Sequence, residues 1–496
     1  MSKKIGMVLV GVVISIIVLI IIVMLPNKDG NQEVVNKEKY DILIPFIESG
    51  KYGYKSYNGQ VVVKPQYDNV ELSEYGVGIV ERDGKLGFVN SKGEEVLAIE
   101  YNDIESMYNG YFKVTKDDKC GIVDANGNMV VPIKYLAFYP GEIMENKVTY
   151  KIDSDKIGFV ELNGKEVTQA KYEYTEDFSN GMAAVMLNEK WGYINSKGKE
   201  VINFEYEDAQ LFNSKGYAVV TKRIGDKQME GIINTKGTLV SEDFYDNAVC
   251  YENFYVLKEA NNENQVFINI YDYSGKLLYA KANSVEYFKD DKIIVISLEN
   301  KYIILDNNLK KIKEIENCSI NDFSNGVAVF SDDDQFKKGV LDVKGEKIIP
   351  AEYDEIEEFI NNSAVAQKGS KVGVIDKQNN IIIPFEYDEI NDIKIIKADK
   401  NNYYAIKQND RYGLYDATGK KILDNEFEEF FSIKNNLVIV EKDEEMGLYN
   451  LSGDSIIHVK DCYISFRTEG EEVLIYVEDS GKTMYYNNKG ILIGEK

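Results

Sequence analysis

The feature that most constrains this chain is a hairpin signature repeated along nearly its whole length. A clear copy is Lys190-Trp191-Gly192-Tyr193-Ile194-Asn195-Ser196-Lys197-Gly198-Lys199-Glu200-Val201-Ile202. It reads as an apolar strand, a tight turn closed by glycine, and a second strand. Counted by the first glycine, or the residue aligned with it, copies fall at Gly53, Gly87, Gly121, Gly158, Gly192, Gly231, Asn269, Ile303, Gly339, Gly373, Gly413, Gly447 and Met484. The spacing runs from 34 residues (Gly53 to Gly87) to 40 (Gly373 to Gly413), a period typical of solenoids, propellers and arrays. Architecture is therefore more legible here than chemistry.

Each position has a physical reason. Three residues after the first glycine stands Asp or Asn (Asn90, Asp124, Asn195, Asp376), and three further on usually Gly (Gly93, Gly127, Gly198). Asp or Asn opening a type I turn, closed by a left-handed glycine, is a common short hairpin connection. The residue after the first glycine is apolar in every copy and the next nearly always so, as in Phe88-Val89 and Tyr193-Ile194, with Lys55 the exception. Neighbouring strand residues face opposite ways, so this strand is buried on both faces. The glycine then marks close approach of another backbone or ring.

A further strand precedes each hairpin after a turn such as Phe178-Ser179-Asn180-Gly181 or Phe323-Ser324-Asn325-Gly326. Each unit is thus a three-stranded antiparallel meander. Units are joined by links such as Pro350-Ala351-Glu352-Tyr353-Asp354-Glu355-Ile356. Proline cannot donate to a ladder, so it is expected to end the third strand. The aromatics Tyr135, Tyr172, Tyr206 and Phe427 read as wedges between units, with solvated carboxylate neighbours; a row for sugar stacking is the functional alternative.

The predicted fold class is all-β: tandem three-stranded antiparallel meanders of about 36 residues, stacked as propeller-like blades over residues 40–496. The link can supply a short fourth strand, which favours blades; an open β-solenoid is the alternative. Units lacking the first glycine stand at Asn269, Ile303 and Met484. The last suits a cap, and the central two would mark a seam near 250–310 between two sub-arrays, such as twin propellers of six and seven blades.

The signature resembles the bacterial WG (or KWG) repeat, carried here by Lys190-Trp191-Gly192-Tyr193-Ile194 with Phe204-Glu205-Tyr206-Glu207 following. The resemblance covers roughly residues 40–496 and implies a repeat scaffold, with no catalytic residues to transfer. Only one Trp occurs; Tyr52, Leu86, Cys120, Ile157, Val372, Tyr412 and Met446 stand in elsewhere, which suits packing better than ligand stacking.

Ahead of the array, Lys3-Lys4 precedes an apolar run from Ile5 to Leu25, followed by Pro26-Asn27-Lys28. About 20 apolar residues span a bilayer, and no A-x-A-like cleavage site follows. The expectation is a cytoplasmic tail (1–4), an uncleaved transmembrane helix (5–25) and a polar linker (26–39). By the positive-inside rule the repeats lie outside the cytoplasm.

The formal charge is −25, which repels phosphate backbones and argues against nucleic-acid partners. The 44% hydrophobic fraction and 36 Tyr exclude a disordered polyanion. His458 is the only histidine and reads as a hydrogen-bonded strand residue. Cys120, Cys250, Cys318 and Cys462 lack metal-ligand spacing, and Cys120 reads as a buried thiol. Asp332-Asp333-Asp334 lacks calcium-loop spacing and reads as a solvated tip. No catalytic residue, metal site or cofactor is expected.

Two function classes remain. One is a non-enzymatic, membrane-anchored, extracytoplasmic scaffold for protein or cell-envelope glycan. The alternative is an envelope carbohydrate-active enzyme with paired carboxylates on a propeller-like fold. Recognition is expected in the irregular connections: the insert at Thr221–Gln228, where Lys222, Arg223 and Lys227 make a basic spot suited to anionic envelope polymer, and the segment from Asp392 to Arg411.

Overall fold

The computed structural model describes residues 41–496, apart from 139–142, 154–155, 261–265, 291, 300, 399–400, 461, 470–471 and 480. The expected tail, transmembrane helix and linker (1–4, 5–25, 26–39) lie outside the described residues. Among the described residues no helix is long and apolar enough to cross a membrane.

Thirteen small antiparallel sheets follow one another along the chain, each a simple meander. We number them as blades 1–13. Blade 5 shows the pattern: Tyr174–Thr175, Met182–Leu187, Lys190–Asn195 and Glu200–Tyr206. Among the described residues ten blades have four strands, and blades 1, 4 and 6 have three. The three expected strands are therefore the last three of the usual blade. The link supplies the first, often only two residues long, as Asn69–Val70 and Glu355–Ile356.

The core lies between blades rather than within them. Side chains from blade 2 (Phe88, Leu97, Tyr101) meet Phe112 and Val114 of blade 3, and the pattern continues blade by blade. Tyr135, Tyr172, Tyr206 and Phe427 are all buried in such clusters, as wedges should be. Blades 7, 8 and 9 are joined by the same kind of core, so residues 250–310 carry an unbroken stack. Blade 13 then packs on blade 1: Leu474, Tyr485 and Ile493 cluster with Ile42 and Ile44. The Tyr57 hydroxyl donates to Val473 O at 2.9 Å and accepts from the Asn488 N–H at 3.0 Å. The array is one closed, propeller-like ring. This replaces both the two sub-arrays and the open solenoid, because the last blade's apolar face is covered by the first.

The first glycine of the signature faces a recurrent bulge. In blade 5, Trp191 pairs with Tyr206 and Tyr193 with Ile202, so three residues of the fourth strand oppose Gly192 alone. A Cβ on Gly192 would lie 2.7 Å from Ile202 O and 3.0 Å from a Phe204 ring carbon. Close backbone approach is the reason for glycine there. The proline expectation needs correction on the same ground. Pro384 lies inside the strand Ile381–Tyr387, and Pro350 inside Lys347–Tyr353. The bulge leaves that stretch out of the ladder, so the missing N–H costs no sheet bond.

The carboxylates beside the wedge aromatics are not simply solvated, as expected, but form clamps. Lys190 pairs with Glu207 at 2.7 Å, Lys371 with Asp388 at 2.6 Å, and Lys51 with Asp68. This explains the lysine two residues ahead of the glycine. Several of these carboxylates also accept backbone N–H groups from the next blade's hairpin tip: Asp83 onto Asp68 at 2.8 Å, Glu189 onto Glu173 at 3.0 Å, Gly369 onto Asp354 at 2.7 Å. Each carboxylate thus ties its own blade to the following one.

These contacts hold the Asp68, Glu173, Glu207 and Asp354 carboxyls below their usual range. For Asp68 the larger cause is Lys51, then the Asp83 N–H; for Glu173 it is the Glu189 N–H, then Lys156. A carboxyl depressed in the folded state adds stability that is complete above its unfolded value, about 4, and is lost as pH falls through the folded value. Melting temperature is therefore expected to hold steady down to about pH 5 and to fall progressively below about pH 4. Thermal melts across pH 7 to 2.5 check this; an unchanged midpoint at the acid end would mean the clamps are energetically idle.

Candidate functional site

The basic spot expected at Lys222, Arg223 and Lys227 sits on the longer hairpin of blade 6, formed by Tyr217–Ile224 and Lys227–Asn234. The structure brings all three cations onto one hairpin but surrounds them with acid. Lys222 lies 3.2 Å from Glu205, Arg223 3.9 Å from Glu207, and Lys227 3.9 Å from Asp246. Lys222 also lies over the Tyr206 ring, 5.0 Å from its centroid. Arg223 and Lys227 remain well exposed, so their pairings are loose and salt-sensitive.

The other sequence features resolve simply. His458 Nδ1 meets Glu445 Oε2 at 2.9 Å, an ordinary strand-surface contact. Cys120, Cys250 and Cys318 are free thiols, with Cys120 and Cys318 buried. Asp332 accepts the N–H groups of Asp334 and Gln335 and so organises its own turn. Among the described residues no three acidic, histidine or cysteine side chains converge on a metal position.

A groove that the sequence did not announce crosses blades 8–11. It is built from one local motif used repeatedly. After the short first strand of blade 10, the Glu357 N–H bonds Val365 O at 2.9 Å; Glu358 follows, and then Phe359 turns into the core. Ile360 and Ser363 close the turn by reciprocal backbone bonds of 3.0 and 3.2 Å, with Asn361 left-handed at φ 53°. Blade 9 repeats this: Asn321 bonds Val329 O, Phe323 is buried, and Ser324 closes on Val327. An exposed polar pair thus precedes a buried phenylalanine in both blades.

Two hollows result, sharing Glu358. One, of about 650 Å³, has Phe288, Phe323 and Phe359 in its floor and Asn321, Asp322 and Glu358 at its rim. The other, of about 390 Å³, is walled by Ile360, Ile390, Asn391, Ile393 and Tyr412, with Glu357 and Glu358 beside it. Part of the predicted Asp392–Arg411 insert is therefore a groove wall, the lengthened first strand Ile393–Ala398, which follows the turn Ile390–Asp392. Burial, then Asp322, pushes the Glu286 carboxyl up; burial, then Glu355, does the same for Glu357. The lysine lining the second hollow, Lys394, is committed to Glu429 and to the Tyr412 ring. The buried floor rings are wedges of the core, and sugar stacking on them would require opening the blades.

Comparisons with known proteins now bear on the fold. Among curated proteins none matches the chain. Solved structures that resemble it include one described as the eukaryotic initiation factor, at 10% identity and TM-score 0.30, covering 69% of this chain and 100% of that one. Two extracellular domains from B. thetaiotaomicron also match: that of the putative hybrid two component system BT3049, at 11% identity and TM-score 0.20 over 84% and 74% of the two chains, and that of the putative one component system BT4673, at 7% and 0.22 over 89% and 81%. The profile of the WG containing repeat matches residues 52–85, 87–120, 157–191, 191–223, 339–371, 373–412 and 412–445. Six of the seven matches run from the glycine-bearing strand of one blade to the same strand of the next, and 191–223 ends one strand earlier, in Tyr217–Ile224. The chain therefore carries seven WG-containing repeats, which fall in blades 1–6 and 9–12.

Proposed function

We propose that this protein is a non-enzymatic binding scaffold, held at the membrane through residues 5–25 with its ring outside the cytoplasm, and that it takes protein or cell-envelope polymer. The open groove across blades 8–11 carries this reading: there the uniform array becomes irregular and concave. Its carboxylates Asp322, Glu357 and Glu358 are exposed, an arrangement that suits retention of a ligand. Hydrolysis of a glycoside would call for a pair flanking an enclosed bond.

The test joins placement to binding. Protease added to intact cells is expected to release a fragment of about the ring's length, which then sediments with isolated envelope material without consuming glycan. Full protection in intact cells, or a released ring that sediments with no envelope fraction, overturns the proposal.

A further inference from the structure

We infer that the groove across blades 8–11 is a docking site for an extended lysine- and arginine-rich segment of a partner protein. The inference rests on the scaffold reading above and names the partner's chemistry.

Charge comes first. Glu286, Asp322, Glu357 and Glu358 fall on three successive blades, and none meets a cation among the described residues. Elsewhere on these blades several carboxylates are matched: Glu314 with Lys301 and Lys311, Glu355 with Lys338, Glu352 with Lys368. The rim carboxylates Asp322, Glu357 and Glu358, with Glu286 close enough to feel Asp322, thus form an unmatched stretch over three blades that calls for a ligand with several spaced positive charges.

Shape and polarity narrow the class. The floor beneath that rim is apolar, with Phe288 packed on Phe323 at 5.7 Å between ring centroids. Lysine and arginine carry a charged head on an apolar stem; the head reaches the rim while the stem covers the floor. Asn321 and Asn391 are exposed in the two hollows and offer amides that can pair with a peptide backbone. A simple polyamine has no backbone for them. A metal ion would need three converging ligands, which the described residues do not bring together.

The experiment titrates the purified full chain into a labelled twelve-residue peptide of repeated Lys-Ala-Ala at physiological salt, read by fluorescence anisotropy. The Asp322→Asn/Glu357→Gln/Glu358→Gln variant is expected to weaken binding by about tenfold or more. A charge-matched control, Glu48→Gln/Asp117→Asn/Asp118→Asn, changes exposed carboxylates outside the groove and is expected to shift it less than about twofold. All six side chains are exposed, so both variants should fold. No binding, equal losses in the two variants, or spermine binding as tightly as the peptide would each overturn the inference. In those cases the scaffold reading still stands or falls by the envelope sedimentation alone.

Discussion

Gly192→Val is expected to cost about 2–3 kcal/mol, at the upper end of the range for overfilling a packed site. The first atom of the new side chain would meet Ile202 O at 2.7 Å and the Phe204 ring at 3.0 Å. The backbone oxygen belongs to a bulge fixed on both sides by paired residues, so it cannot retreat without disturbing the fourth strand. Valine's branch adds a second clash. Gly84→Ala is the comparison: that glycine lies at φ +71° with nothing within 4 Å, so the change costs about 1 kcal/mol, from conformation alone. Thermal and urea melts of both variants check the order. Equal losses would remove close approach as the reason for glycine in the signature.

Leu474→Asp is expected to do more, because it acts where the ring closes. Leu474 is fully buried against Ile42, Ile44, Tyr485 and Ile493. A carboxylate there has no partner, and an unpaired buried charge costs several kcal/mol unless it protonates or the site opens. In a repeat array stability is close to a sum of units and neighbour interfaces. The blade 13–blade 1 junction should part while the other junctions persist. Hydrogen exchange of amides in Leu43–Glu48 and Leu492–Glu495 is expected to rise by orders of magnitude, with little change in blades 6 to 8. The radius of gyration should grow. Unchanged exchange in those two strands would show that the junction does not hold the ring shut.

The local rules were legible in the sequence and the long-range ones were not. Hairpin turns, the double-sided glycine strand and the wedge role of Tyr135, Tyr172, Tyr206 and Phe427 all follow from residues a few positions apart. Closure joins Tyr57 to Val473, residues with no local relation, so an open array and a ring read alike. The clamps were missed because Lys190 and Glu207 lie on different strands, although the regular distance between such pairs was present in the repeat. Proline misled for a related reason: it normally ends a strand, but here a bulge absorbs it. The groove escaped notice because Asn321-Asp322-Phe323 and Glu357-Glu358-Phe359 look like any solvated turn until successive blades set them side by side. The Asp392–Arg411 insert pointed to the right neighbourhood without saying what it walls.

The offset between the WG repeat and the blade has a consequence for how such molecules change size. Because all but one of the matched stretches begin in the glycine-bearing strand of one blade and end in that of the next, such a stretch contains a whole junction: wedge, link and the partner face that receives them. Deleting or duplicating one such stretch in a gene would remove or add a blade while rejoining two half-blades of the same design. No junction would be left chemically foreign. The number of blades is then limited only by whether the last face can still reach the first, so a count of thirteen is a solution to closing a circle and one that unequal recombination can reset in single steps.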